Sequence, residues 1–202
     1  TGNPLYQSLV PNKMFLNQGG RYFLDITTFS RTGNLQKGHG VSIADLDNDG
    51  DQDIYIEMGG AYEGDAYDNS LYINPGQNNN RWINISLEGT RSNRPAIGAK
   101  LKVFFEENGV KRFVYREVNS GGSFGSNPLR QHIGIGQATK IDRLEIQWPG
   151  SNTKQVFTDL SPNEFIFIKE GSGEIRKANY AIADFVNTKK GLLSCGPAKA
   201  EP

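Results

Sequence analysis

Apolar and polar side chains alternate along most of the chain, as in Trp82-Ile83-Asn84-Ile85-Ser86-Leu87. A period of two sends successive side chains to opposite faces of an extended strand, which is the signature of a sheet with one buried face. The pattern predicts strands over residues 14–17, 22–26, 41–44, 53–57, 70–73, 82–87, 99–105, 111–118, 130–133, 141–148, 155–157 and 164–168. Turn-forming groups separate them, among them Asn17-Gln18-Gly19-Gly20, Asn74-Pro75-Gly76, Glu107-Asn108-Gly109, Trp148-Pro149-Gly150 and Ser161-Pro162-Asn163. Gly171-Ser172-Gly173 reads as a linker to a tail whose apolar patch, residues 180–186, fits either a helix or a strand. The expected fold is all-β.

The 202 residues suffice for one or two domains, and 24 glycines with only 2 methionines suit short strands and tight turns. Equal numbers of acidic and basic residues, 22 of each, argue against a nucleic-acid binder, which carries a basic excess. No apolar run approaches the ~20 residues of a membrane helix, so no membrane span is expected. The single Cys195 excludes an internal disulfide and a cysteine-cluster zinc site, and Leu192-Leu193-Ser194-Cys195 is a chance likeness to a lipoprotein box. Beginning at Thr1, the chain reads as processed or trimmed. Charge is uneven along it: residues 1–80 carry 10 acidic and 4 basic side chains, a net −6, and the remainder carries the balancing +6. That split is mostly the mark of one acidic loop, and it also makes opposite ends of neighbouring molecules complementary.

The acidic loop is Asp45-Leu46-Asp47-Asn48-Asp49-Gly50-Asp51-Gln52-Asp53. Oxygen ligands at positions 1, 3 and 5, a glycine at 6, the Asp51 carbonyl at 7 and a carboxylate at 9 can converge on one hard cation, and Ca2+ accepts such a flexible oxygen set. Five carboxylates in nine residues repel one another strongly without a cation. The expected metal site is therefore Asp45, Asp47, Asp49, Asp51 and Asp53. An EF-hand is excluded because its twelfth position is Ile56, within a strand pattern, so the loop joins a hairpin instead.

Asn17-Gln18-Gly19-Gly20, Phe23, Asp25-Ile26-Thr27 and Gly38-His39-Gly40-Val41, running into the acidic loop, resemble one FG-GAP/VCBS-type propeller repeat. Downstream, Trp82, Leu87-Glu88-Gly89, Ser92-Asn93-Arg94-Pro95-Ala96-Ile97-Gly98-Ala99, Arg116-Glu117-Val118, the glycine-rich stretch 120–126, Gly134-Ile135-Gly136 and Trp148-Pro149 resemble the ASPIC/UnbV domain. The resemblance implies an extracellular, calcium-binding, non-catalytic β module. A propeller closes with 4–8 blades, and residues 1–80 hold at most two, so the chain is either a fragment or a reuse of the repeat. The domains expected are 1–80, a calcium-loop hairpin of propeller-repeat type; 81–170, an antiparallel β-sandwich; and 171–202, a tail.

Other chemistry-bearing residues point less far. His39 and His132 are the only histidines; His39 flanks the acidic loop, but calcium takes oxygen, and His132 sits in a strand pattern. Ser123 lacks a nucleophile-elbow motif and reads as a turn residue. Asn84-Ile85-Ser86 is a glycosylation sequon on a strand. Arg94, held extended by Pro95, is expected to tie its own loop down by an ion pair or a carbonyl clamp, and Asp65 with Asp68 offer a loosely spaced second cation site. No nucleophile, base and oxyanion site stand together, so no enzyme is expected. The functional expectation is extracellular adhesion or assembly, with head-to-tail self-association into a homo-oligomer or surface filament through sheet edges and the apolar tail, or the tail folding back on its own sandwich, and with a carbohydrate or another extracellular protein as further partners. Alternatively the chain is the end of a larger propeller protein that binds a carbohydrate or another ligand, or part of an enzyme whose active site lies elsewhere.

Overall fold

A computed structural model describes residues 10–35, 37–60, 63–64, 66–76, 79–122, 124–183 and 185. Asp65, Ser123, Cys195 and most of the tail lie outside the described residues. Two short strands, β1 (Phe15–Asn17) and β2 (Phe23–Asp25), precede a single helical turn, α1 (Thr27–Ser30). Then come β3 (Gly38–Ala44), β4 (Asp53–Met58), β5 (Ser70–Tyr72), β6 (Arg81–Glu88), β7 (Lys100–Glu107), β8 (Val110–Glu117), β9 (Gln131–Gly136), β10 (Ile141–Gln147), β11 (Lys154–Leu160), β12 (Glu164–Lys169) and β13 (Ile175–Ala178). The all-β expectation holds, and each strand expected from the alternation is present.

Two four-stranded sheets, ordered β11-β10-β7-β8 and β13-β12-β6-β9, pack face to face. Between them lie Leu101, Val103, Phe105, Leu144, Ile146 and Trp148 from one side and Ile83, Ile85, Ile133, Ile135, Ile166 and Ile168 from the other, all buried. This is the usual solution for two sheets that each have one apolar face. The sandwich departs from a purely antiparallel one in a single pairing: β12 runs parallel to β6. Five intervening strands, β7 to β11, supply the long crossover that a parallel neighbour requires. The tail begins as β13, which pairs antiparallel with β12 and covers that edge.

Alternation leaves Trp82, Asn84, His132 and Phe165 on the outer face of the second sheet. A three-stranded sheet, β3-β4-β5, carries the acidic loop to that face. It is held laterally as well. Asn127 Oδ1 accepts from the Ile43 amide (2.8 Å), and the Ser42 hydroxyl donates to the Ser126 carbonyl (3.1 Å). The segment before the sandwich is thus a two-stranded sheet and a three-stranded sheet, the latter applied to the sandwich, and no four-stranded blade forms among the described residues.

The clamp on loop 89–94 is Glu170, which stands just past β12. Its Oε2 accepts the amides of Thr90, Arg91 and Ser92 (2.8, 2.8 and 2.7 Å), while Oε1 accepts the hydroxyls of Ser92 (3.0 Å) and Ser151. Arg94 does not have the role expected of it: its side chain is exposed and has no ion-pair partner among the described residues. The loop needs a buried acceptor for three converging amides, and an exposed cation cannot supply one. Burial pushes the Glu170 carboxyl up, but the Ser151 hydroxyl and the three amides outweigh burial and hold it down to about 2. A carboxylate depressed on folding stabilises the native state above its unfolded value and loses that contribution as pH falls. Denaturation measured against pH is expected to show stability declining as pH falls from the ordinary glutamate value of 4.5 toward about 2. Glu170→Gln, which turns an NH2 toward these donors, is expected to cost on the order of 3 kcal/mol at neutral pH and to flatten that decline.

Candidate metal centre and the adjoining cavity

Residues 45–52 connect β3 to β4, and the turn is built from their own side chains. Asp47 Oδ1 accepts the Asp49 amide (3.2 Å), and Asp49 Oδ1 accepts the Asp51 amide (2.8 Å). Asp53, at the start of β4, is buried; its Oδ2 accepts the Leu46 amide (2.9 Å) and its Oδ1 the Asn74 amide (2.8 Å). Asp53 thereby closes the loop and ties it to the segment after β5. Gly50 has φ +98°, where a side chain is strained, and it faces Trp82: a Cβ there would lie 1.8 Å from the indole Nε1. Loop and sandwich therefore meet at a contact that only glycine permits.

Of the five expected ligands, Asp45, Asp47 and Asp49 each bring one carboxylate oxygen within 4.8 Å of the others. Calcium–oxygen bonds of about 2.3–2.6 Å place ligand oxygens at such separations. Asp51 and Asp53 stand outside this group, Asp53 engaged by the two amides and Asp51 against Gly76. Asp45 is 4% exposed, and no donor meets hydrogen-bond geometry at either of its carboxylate oxygens. Burial drives its carboxyl up to about 6; the nearby Gly50 amide and Arg130 only partly offset that, and Asp49 and Asp47 add to it. Asp47 and Asp51 are also raised, in both cases chiefly by burial, with repulsion from Asp49 and Asp53 adding.

The remaining candidates fall in different places. His39 is exposed on β3, at an irregularity in its pairing with β4. Asn84 is 1% exposed and its Nδ2 lies 3.1 Å from His132 Nδ1, so its side chain is covered on the outer face of the second sheet and is not presented for glycosylation. Asp68 is exposed. His132 stacks on Trp82 with ring centroids 5.6 Å apart, and burial first, then Arg130 and Arg116, hold it down to about 4. The imidazole is therefore neutral at pH 7, with one ring nitrogen paired to Asn84.

Alternation did not expose two further features. The tail after β13 reaches the acidic loop: the Ala183 amide donates to the Asp47 carbonyl (2.8 Å) and Asn48 Nδ2 donates to the Ala181 carbonyl (3.2 Å). Tyr180 packs edge-on against Phe165, and the Arg130 guanidinium lies over both rings at 5.1 and 5.5 Å. Beside these groups a cavity of about 390 Å3 opens between the β3–β4 hairpin and the sandwich.

Residues 89–175 match the family described as ASPIC and UnbV. The match covers the sandwich from the loop after β6 to the start of β13 and does not extend to the acidic loop. No curated protein matches the chain.

Replacing Gly50 tests the docking of the loop on the sandwich. Gly50→Ala is expected to lower stability by about 2 kcal/mol or more, through left-handed backbone strain and displacement of Trp82. Trp82 is exposed in part by that displacement, so indole fluorescence should shift to the red with β-sheet circular dichroism unchanged. An unshifted spectrum with unchanged melting would show that the loop does not dock there.

Proposed function

We propose that the chain is a non-catalytic, extracellular β module in which one calcium ion, held by Asp45, Asp47 and Asp49, fastens the hairpin loop to the sandwich for adhesion or assembly. The observation that carries the reading is the Asp45 carboxylate: buried, with neither oxygen hydrogen-bonded, and facing two other carboxylates. Such an arrangement is costly for the bare protein, because an uncompensated charge is removed from water beside like charges. A divalent cation reverses both contributions. The Asp47 and Asp49 carboxylates accept the Asp49 and Asp51 amides and so pre-shape the loop, while Asp53 closes it; the FG-GAP/VCBS-type reading expects a further oxygen from the Asp51 carbonyl. The secreted location follows from the resemblance of both segments to extracellular modules.

Calcium that binds only the native state adds RT ln(1 + [L]/Kd), about 2.7 kcal/mol at a hundredfold excess over Kd. Melting followed by calorimetry is expected to rise with calcium and to fall on its removal. Asp47→Ala and Asp49→Ala are expected to abolish most of that difference. Melting that ignores both calcium and its removal would overturn the metal reading.

The assembly part of the reading is supported by the opposed charges of the two halves and by the β8, β11 and β9 edges. The tail contributes less than its sequence implies, since β13 and Tyr180 are engaged within their own chain. Light scattering is expected to show oligomers that dissociate as salt rises, the direction that screening dictates. A monomer at every ionic strength would remove self-association and leave a monomeric adhesion module.

A further inference from the structure

We propose that the cavity between the β3–β4 hairpin and the sandwich binds a small acidic sugar, its carboxylate held by Arg116 and Arg130 and one of its hydroxyls by the buried side chain of Asn84. All three side chains line the cavity, whose volume of about 390 Å3 lies within the usual range for small-molecule sites and exceeds what an inorganic anion fills.

Neither arginine has a carboxylate partner among the described residues. Arg116 donates to its neighbour's carbonyl, Tyr115 O (3.3 Å), and Arg130 to Asp45 O (3.4 Å). The Arg130 guanidinium lies 5.1 and 5.5 Å from the Phe165 and Tyr180 ring centroids, cation–π contacts that restrain the side chain before any ligand arrives. Two acidic residues also line the cavity. Asp45 turns one carboxylate oxygen toward Asp47 and Asp49 and reaches Arg130 through space, and neither it nor Glu117 forms an ion pair with either guanidinium, so both forks keep donors for a ligand. His132 is neutral at pH 7, as its depressed value requires, and adds no charge.

Asn84 points to the hydroxyl. Its Oδ1 is buried and has no hydrogen-bond partner, while its Nδ2 faces His132 Nδ1. Turning the carboxamide over pairs Oδ1 with a protonated Nδ1 and leaves the NH2 group unpaired instead, so one terminus lacks a partner in either orientation. A sugar hydroxyl both donates and accepts and satisfies whichever terminus is free. A carboxylate for the arginines and a hydroxyl for the amide, on a body that fills the space, describe a uronic acid better than a neutral hexose or a bare oxyanion.

The proposal does not depend on calcium binding, so the test is run on the intact chain in calcium and in calcium-depleted buffer, and each reading can fail without the other. Glucuronate, galacturonate and short oligouronates are titrated by calorimetry, with glucose and inorganic sulfate as controls; the monomers and oligomers distinguish a free acid from a polysaccharide end. Saturable binding of a uronate is expected, with glucose at least tenfold weaker and sulfate failing to compete at equal concentration. Arg116→Gln, at an exposed strand position, is expected to weaken uronate binding about tenfold with melting unchanged, and Arg130→Lys, which keeps charge but not the fork, to weaken it comparably. The proposal is overturned by an absence of saturable uronate binding in both buffers. Equal binding of glucose, competition by sulfate at parity, or full affinity in both variants would overturn it as well.

Discussion

The contact between Gly50 and Trp82 organises the molecule outside the sandwich core. Strand alternation obliges the second sheet to present Trp82, Asn84, His132 and Phe165 on the face away from the core, a large and partly aromatic surface. Left bare, it would be a costly patch for a small protein. The acidic loop covers it only because position 50 has no Cβ and tolerates a positive φ, so the backbone itself lies on the indole. Once the loop is there, Asp45 is necessarily removed from water, and its electrostatics follow from that placement.

Of the buried carboxylates among the described residues, Glu170 and Asp45 have opposite outcomes. Glu170 meets three amides and two hydroxyls and stays strongly acidic; Asp45 meets no well-placed donor and two like charges, and is pushed toward protonation. Desolvation is the largest single contribution in both, and the surrounding donors decide the sign. The first arrangement is complete as it stands and fixes a loop. The second is complete only with a partner of positive charge, which is why one is a structural clamp and the other a candidate ligand.

The strands were legible because their information is local: period-two alternation with glycine, asparagine and proline at the turns decides each one without reference to the rest. β13 escaped for the same reason, since Ile175-Arg176-Lys177-Ala178 has one apolar residue turned to the core and its pairing comes from the β12 edge. The β6–β12 parallel pairing is likewise a property of two distant segments, invisible to any window of sequence. At the site, spacing identified the acidic loop but not the division of labour within it. Asp53 reads as a ligand by position, yet it accepts amides from residues 46 and 74, the second set by the return of the chain after β5. Glu170 was overlooked because a lone glutamate at a strand end looks like any solvated residue; its only clue was the polar Thr90-Arg91-Ser92 run, whose amides required an acceptor.

The loop, the tail and the cavity share a wall. Arg130 donates to the Asp45 carbonyl on one side, lies over Tyr180 of the tail on another, and lines the cavity on a third. The tail in turn holds the loop through the Asp47 carbonyl and Asn48. A change in loop geometry therefore moves the Arg130 fork unless Phe165, anchored on β12, resists it. Because the sandwich beneath is packed and the hairpin above rests on side-chain and edge contacts, the softer partner is the hairpin. Any coupling between cation and ligand would accordingly travel through the Asp45–Arg130 contact, with the second sheet as the fixed reference.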